Sequence, residues 1–266
     1  MKNKNVWIAC VFIFMCLFFC NTAFADKIMV VAVNANWPPM QMKDEKGNVT
    51  GYEIDMIKAM AAEAGFQVKI VNMPWGKIFK ELDAGKYDAV MASVSITDGR
   101  KQKFDFSEPY FTAEQLLVVP KAKVQASLAG KPIAVFKLTT GADAIRKAQG
   151  CRMTYYTVEE TEQAFKDLAK GDIAGVFCDS PVALNYAFSK SKYKGKFTIV
   201  GDMSAMRIPS NKEEYGIAVR KGNAETLDLV NKGLQAVKSK GIDSKLKDKW
   251  FNKASLPATM VGYIEE

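Results

Sequence analysis

Short apolar runs alternate with stretches of helical spacing along most of this chain. Ile28 to Asn34 is nearly all apolar and reads as a buried strand, ended by Asn36-Trp37-Pro38-Pro39, because paired prolines cannot continue a ladder. Gly47-Asn48 reads as a turn. Ile54, Ile57, Met60, Ala61 and Ala64 then recur at helical spacing and stop at Gly65. Gln67 to Met73 alternates as a half-buried strand does. Trp75, Ile78, Phe79 and Leu82 predict an amphipathic helix closed by Gly85, and Asp88 to Val94 a third strand. The order β-α-β-α-β implies a parallel sheet covered by helices.

The same order returns further on. Pro132 to Phe136 reads as a strand, Ala142 to Ala148 as a helix and Met153 to Tyr156 as a strand. Thr157-Val158-Glu159-Glu160 matches a capping box opening a helix that runs to Gly171. Ile173 to Cys178 is a third strand, and Ser180-Pro181 starts another helix with proline at its first position. Leu82-Asp83-Ala84-Gly85 followed by Asp88-Ala89-Val90 resembles Leu168-Ala169-Lys170-Gly171 followed by Ala174-Gly175-Val176, 86 positions later. Two similarly built lobes are expected, with Ser93 and Asp179 at equivalent strand ends. Open α/β sheets bind ligands just beyond such ends, so two facing ends predict a cleft. Gln115 to Val119 is placed as the outward crossing and Tyr215 to Val219 as the return, a double crossover suited to hinging. Leu227 to Trp250 reads as largely helical.

Composition narrows the chemistry. The 266 residues include no histidine, which excludes Ser-His-Asp and Cys-His nucleophile pairs, imidazole general bases and His metal ligands. The formal charge of +8 comes from 37 basic and 29 acidic residues, interspersed, so a mixed solvated surface is expected rather than a nucleic-acid face. The amino terminus is different in kind. Lys2 and Lys4 precede the apolar run Val6 to Phe19, and Ala23-Phe24-Ala25 follows, the pattern of a secretory signal with cleavage after Ala25. The apolar stretch is short for a membrane span. Bulky Phe18 and Phe19 before Cys20 argue against lipoprotein processing, so soluble export is expected. Beyond that leader only Cys151 and Cys178 remain, too few for a disulfide framework.

Four kinds of group stand near the expected cleft. Arg100 follows Ser93-Val94-Ser95-Ile96-Thr97-Asp98-Gly99; a guanidinium fork matches a carboxylate and nearby hydroxyls add donors, although most arginines are surface ion-pair residues. Thr139-Thr140-Gly141 lies where a strand turns into a helix, which suits an anion and equally suits simple capping. Asp179 ends an apolar strand, placed either to accept from an ammonium or to cap the Ser180-Pro181 helix. Trp37 and Trp75 follow strands beside prolines and serve either as ligand walls or as core. An anion site, a cation site and two aromatic walls together complement a zwitterionic α-amino acid.

With these residues in view, residues 26 to 252 resemble the solute-binding proteins of polar amino-acid ABC importers (family 3). The resemblance is carried by Gly51-Tyr52-Glu53-Ile54-Asp55-Met56, by Ser93 to Arg100 with Phe106-Ser107-Glu108-Pro109-Tyr110, by Asp179-Ser180-Pro181-Val182-Ala183, and by Tyr215-Gly216-Ile217-Ala218-Val219-Arg220. It implies an α/β, two-lobed periplasmic binding protein of type II, each lobe a parallel-rich sheet flanked by helices, with the ligand cleft between. The divisions expected are a leader at 1–25, a first lobe at 26–116 and a second lobe at 117–214. Residues 215–266 return to the first lobe. By the same resemblance Arg100 clamps a ligand carboxylate with Ser95 and Thr140, Asp179 and the Ser93 backbone hold the amino group, and Asn34, Trp37 and Trp75 line the side-chain pocket. Three positions depart from the family: Leu138-Thr139-Thr140 stands where Gly-Ser-Thr is usual, adding bulk beside the site; Ser93 stands where Gly is common; and Asn34 stands where some binders of basic amino acids carry an acid, which weakens the case for a Lys or Arg ligand and leaves Glu53, Glu114 or others as alternative sources of that charge. In the family's strand order, the strands beside Cys151 and Cys178 flank a common neighbour and present opposite ends, so two unpaired thiols are expected.

The implied function is capture of a polar amino acid by a periplasmic monomer and its delivery to a membrane permease, with no catalytic residues, cofactor, metal or nucleic acid. The rivals are an enzyme on the same fold acting on a small carboxylic acid, dehydratase-like, and a sensory role for the same lobes.

Overall fold

The computed structural model describes residues 28–124, 128–146, 152–200, 212–251, 254 and 256–265. The expected leader and its cleavage point lie outside the described residues, as does Cys151. The first half runs β1 (Ile28–Val33), a hairpin of β2 (Met42–Lys43) and β3 (Val49–Thr50), α1 (Tyr52–Ala64), β4 (Gln67–Asn72), α2 (Trp75–Asp83), β5 (Ala89–Val90), α3 (Asp98–Lys101) and β6 (Phe104–Phe106). β7 (Phe111–Pro120) leads to β8 (Pro132–Phe136), α4 (Thr140–Arg146), β9 (Arg152–Tyr156), α5 (Thr161–Lys170), β10 (Gly175–Asp179), α6 (Ser180–Leu184) and β11 (Phe197–Val200). β12 (Lys212–Tyr215) and β13 (Ala218–Arg220) return, followed by α7 (Ala224–Ser239), α8 (Ile242–Phe251) and α9 (Gly262–Glu265).

Two sheets result, ordered β4-β1-β5-β13-β6 and β11-β7-β10-β8-β9. Each has three parallel strands with the earliest in the centre, β4-β1-β5 and β9-β8-β10. An antiparallel strand lies beside the last of the three, β13 against β5 and β7 against β10. This is the internal repeat seen in space. Gly85 and Gly171 close α2 and α5 at φ 71° and 88°, the left-handed region that glycine enters without a Cβ clash, and the strands follow in the same register. The capping box is present too: Thr157 and Glu160 each bond the other's backbone.

The crossings pair with one another. The first residues of β7, 111–114, run antiparallel to β12, while from Gln115 onward β7 pairs with β10 and β11. A two-stranded ribbon therefore joins the lobes. Gln115 to Val119, the expected outward crossing, lies inside the second sheet, because β7 is one continuous strand that changes partners along its length. The expected strand from Asp88 to Val94 is also shorter. Its ladder ends at Val90, Met91 N–H still donates to the Ala32 carbonyl at 3.0 Å, and Ser93 then turns to φ 51°.

Packing fixes where α1 begins. Gly51 has φ 135°, and a Cβ there would stand 2.3 Å from the Met40 carbonyl oxygen. That close approach lets the Tyr52 and Glu53 amides donate to the Pro39 and Met40 carbonyls at 3.0 Å each. α1 then buries Tyr52, Ile54, Met56, Ile57 and Met60, roughly 1.5–3 kcal/mol for each large side chain removed from water. It packs on α7, whose Val230, Leu234 and Val237 are buried. The same start points Glu53 inward, where it is fully buried.

Candidate functional site

The strand ends of both lobes meet around a small, tightly closed cavity. All eight residues singled out in the sequence, Asn34, Trp37, Trp75, Ser93, Ser95, Arg100, Thr140 and Asp179, are in its wall. Ala92, Thr139 and Val158 complete it.

One half of the cavity is a cluster of donors. Thr97 caps α3 by accepting from the Arg100 amide at 3.3 Å, which sets Arg100 on the cleft side. Its guanidinium donates to the Ser95 carbonyl at 2.8 Å and lies over the rings of Trp75 and Phe79, 5.6 and 5.3 Å from their centroids. Burial pushes Arg100 down from its ordinary value, and the carboxylates of Glu213, Asp179 and Asp143 oppose that shift. The Ser95 and Thr140 hydroxyls, one from each lobe, stand 3.4 Å apart. Thr139 does the capping: its hydroxyl accepts from the Ala142 amide at 3.3 Å, leaving Thr140 aimed at the cavity. A carboxylate already sits among these donors. Glu213 Oε2 accepts from Ser95 Oγ and Thr140 Oγ1, both at 2.6 Å.

The other half is a single buried acid. Asp179 makes no side-chain cap to α6. Its oxygens instead accept from Gln115 Nε2 at 2.6 Å and from the Tyr215 hydroxyl. Burial, followed by the charge of Glu213, pushes Asp179 up to about 6, against the hydrogen bonds from Tyr215, Gln115 and Trp37. Gly141 makes room for this arrangement, since a Cβ there would lie 2.6 Å from Gln115 Oε1.

Behind Ser93 lies a second buried acid. Glu53 accepts from the Ser93 amide at 2.9 Å, the Ser93 hydroxyl at 2.8 Å, the Tyr110 hydroxyl at 2.7 Å and Gln41 Nε2. These bonds hold Ser93 in its left-handed backbone, a conformation costly for a residue with a Cβ. Burial pushes Glu53 up to about 7, and the four bonds oppose it.

The walls serve both readings of the tryptophans, which are buried and yet line the cavity. Trp37 meets Phe136 edge-on at 5.0 Å, and Trp75 Nε1 donates to the Leu138 carbonyl at 3.1 Å, so both touch the opposite lobe. Glu159 crosses as well. Its Oε1 accepts from Asn34 Nδ2 and from the Trp75 amide at the start of α2, both at 2.7 Å. Pro74, at the cap position of α2, makes no side-chain cap of its own, and the helix dipole favours an anion there.

Three expectations change. Leu138 adds no bulk to the cavity: at φ 64° its side chain turns outward, 70% exposed, and its carbonyl makes the contact. Glu53 lies behind Ser93 rather than in the wall, and Glu114 is absent from the wall too. Leu138 and Ser93 are the two non-glycine residues with positive φ among the described residues. Sequence reasoning missed Glu213, Gln115 and Glu159. Alternation from Tyr215 would have placed Glu213 on the cleft face; nothing local marks the other two. Cys178 is a buried free thiol. The order β9-β8-β10 puts its strand and the one after Cys151 on either side of β8.

Two α/β lobes joined by a ribbon and closed over one polar cavity define a bilobed solute-binding protein. More particularly, the chain belongs to the bacterial extracellular solute-binding proteins, family 3, whose pattern matches residues 29–253. A probable histidine-binding protein of Neisseria gonorrhoeae is 34% identical over 232 residues, covering 85% of this chain and 84% of that protein. Among solved structures, an ancestral arginine-binding protein bound to arginine superposes with a TM-score of 0.74 at 35% identity, covering 84% of this chain and 98% of that one. The ancestral amino acid-binding protein AncCDT-1, described as a precursor of cyclohexadienyl dehydratase, gives 0.75 at 31% identity, covering 87% and 98%.

Proposed function

We propose that this protein captures a free polar amino acid between its lobes and presents it to the membrane permease of an ABC importer. The observation that carries the reading is one cavity lined both by the donors Arg100, Ser95 and Thr140 and by the Asp179 carboxylate. A zwitterion presents opposite charges a few ångströms apart, and a wall with both a cation and an anion complements it. In this reading Arg100, Ser95 and Thr140 receive the α-carboxylate, Asp179 and the Ser93 carbonyl receive the ammonium, and Trp37, Trp75 and Asn34 border the side chain. The protein acts as an exported monomer, its first 25 residues removed, with its lobes joined by the ribbon of residues 111–114 and 212–215. It binds and releases without chemistry. The enzymatic alternative draws on the dehydratase precursor among its structural neighbours, and that neighbour is itself described as an amino acid-binding protein.

A thermal-shift and calorimetric screen of the twenty amino acids on ligand-stripped protein tests the reading. A ligand at a hundred times its Kd adds about 2.7 kcal/mol of stability. Arg100→Ala should then weaken the best ligand by about thirtyfold or more, roughly 2–5 kcal/mol, because the carboxylate loses its charged partner in a desolvated site. Binding within twofold of wild type would show that the carboxylate lies elsewhere.

A further inference from the structure

Glu213 belongs to β12, the returning strand of the ribbon, and strand alternation puts it on the same face as Tyr215. Tyr215 reaches Asp179 from that face, and Glu213 reaches the Ser95 and Thr140 hydroxyls. Its half-buried carboxylate takes hydrogen bonds from both hydroxyls assigned above to a ligand carboxylate, at 2.6 Å each. It is also the foremost carboxylate acting on Arg100. Among the described residues no lysine or arginine forms a salt bridge with it. The backbone that carries it is fixed: β12 pairs with β7, and the Ile96 amide donates to the Glu214 carbonyl at 2.8 Å. The side chain has somewhere to go, because a solvent-open groove bordered by Glu213 also bears Lys103 and Arg146.

We propose that Glu213 is an internal competitor for the anion half of the site, an affinity-setting side chain that an incoming carboxylate must displace toward that groove. This rests on the amino-acid reading and adds a residue to it. Two carboxylates cannot share one pair of hydroxyl donors, since each hydroxyl gives a single proton and the anions repel. Ligand entry therefore includes rotation of Glu213 out of the cluster, and its return neutralises Arg100 as the ligand leaves. The competitor acts before binding, so it lowers the association rate more than it raises dissociation.

The test is calorimetric and stopped-flow titration of wild type and Glu213→Gln with each of the twenty amino acids, and with the carboxamide of whichever binds. Glu213→Gln should bind the amino acid about tenfold more tightly, mostly through faster association, while the carboxamide, lacking the anion, gains little. The midpoint of thermal unfolding without amino acid should fall, because the internal charge-assisted bonds are lost. A merely structural residue would lower both stability and affinity. Equal or weaker binding by Glu213→Gln overturns the competitor role while leaving the amino-acid reading intact. Failure of both proteins to bind any amino acid overturns both. Glu213→Ala provides the same readouts should the Gln variant fail to fold, with tighter binding supporting the role and unchanged or weaker binding ending it.

Discussion

Glu53 in the first lobe and Asp179 in the second are buried acids supported in the same way. Each accepts from a tyrosine hydroxyl, Tyr110 or Tyr215, and from a glutamine amide, Gln41 or Gln115. Each is raised above the usual carboxylate range chiefly by burial. They differ by one layer. In the first lobe Ser93 stands between the acid and the cavity, its amide and hydroxyl both bonded to Glu53. In the second lobe the acid itself is the wall. The same support thus yields two results: a shaped piece of backbone on one side, and a carboxylate lining the cavity on the other.

Between these two acids, the larger expected effect on affinity separates the layers. Asp179→Asn keeps the size and removes the charge that faces the ligand. In the amino-acid reading, affinity should fall on the order of 30- to 100-fold, roughly 2–3 kcal/mol, because the ammonium then enters a desolvated site without a counter-charge. The hydroxy-acid analogue should lose much less. Calorimetry with both ligands on both proteins checks this. Equal losses, or none, would place the ammonium away from Asp179.

Much of this comparison was legible in the sequence. The repeat at an offset of 86 paired Ser93 with Asp179; Asp179 ends its strand, and Ser93 lies three residues beyond the equivalent one. The residues that line the cavity were legible because they sit next to strand ends, and strand ends follow from local periodicity. The supporting partners were not, because they come from far along the chain. Ser95 and Glu213 are 118 positions apart, and Trp75 and Glu159 are 84 apart. No local pattern encodes which strand face a distant residue will meet. Leu138 shows a different limit. Its type predicts an apolar contact, but the left-handed backbone at the start of α4 sends the side chain to solvent and offers the carbonyl instead.

Glu53→Gln should act in the opposite manner to Asp179→Asn, on stability before affinity. Four donors converge on the two Glu53 oxygens, and a glutamine would turn an NH₂ group toward at least one of them. An unsatisfied buried donor costs roughly 1–3 kcal/mol, so thermal unfolding should come several degrees earlier. Affinity should change only a few-fold, through a loosened Ser93. A loss of affinity as large as that of Asp179→Asn, with an unchanged melting midpoint, would place Glu53 in contact with the ligand and erase the difference between the layers.

The smallest effect is the pH dependence, and it distinguishes the two acids without any mutation. Both carboxyls hold a proton more tightly folded than unfolded: Asp179 is raised from 3.8 to about 6 and Glu53 from 4.5 to about 7. Between those limits the folded protein binds more protons than the unfolded chain. Their contribution to stability is therefore present below about pH 4 and is lost as pH rises from about 4 to about 7. Amino-acid affinity should run the other way. A bound ammonium favours ionised Asp179, so binding expels the Asp179 proton, and affinity rises with pH until that group is ionised without help. With a value near 6, the gain from pH 6 to pH 7 is about twofold, and affinity is flat above that. Glu53, shielded by Ser93, meets no ligand charge, so its titration near 7 should leave affinity untouched. Calorimetry from pH 5 to 8 beside thermal unfolding over the same range measures both trends. In Glu53→Gln the stability slope should flatten while the affinity curve keeps its shape. An affinity curve that instead turned near pH 7, and lost that turn in Glu53→Gln, would make the buried acid of the first lobe the one that senses the ligand.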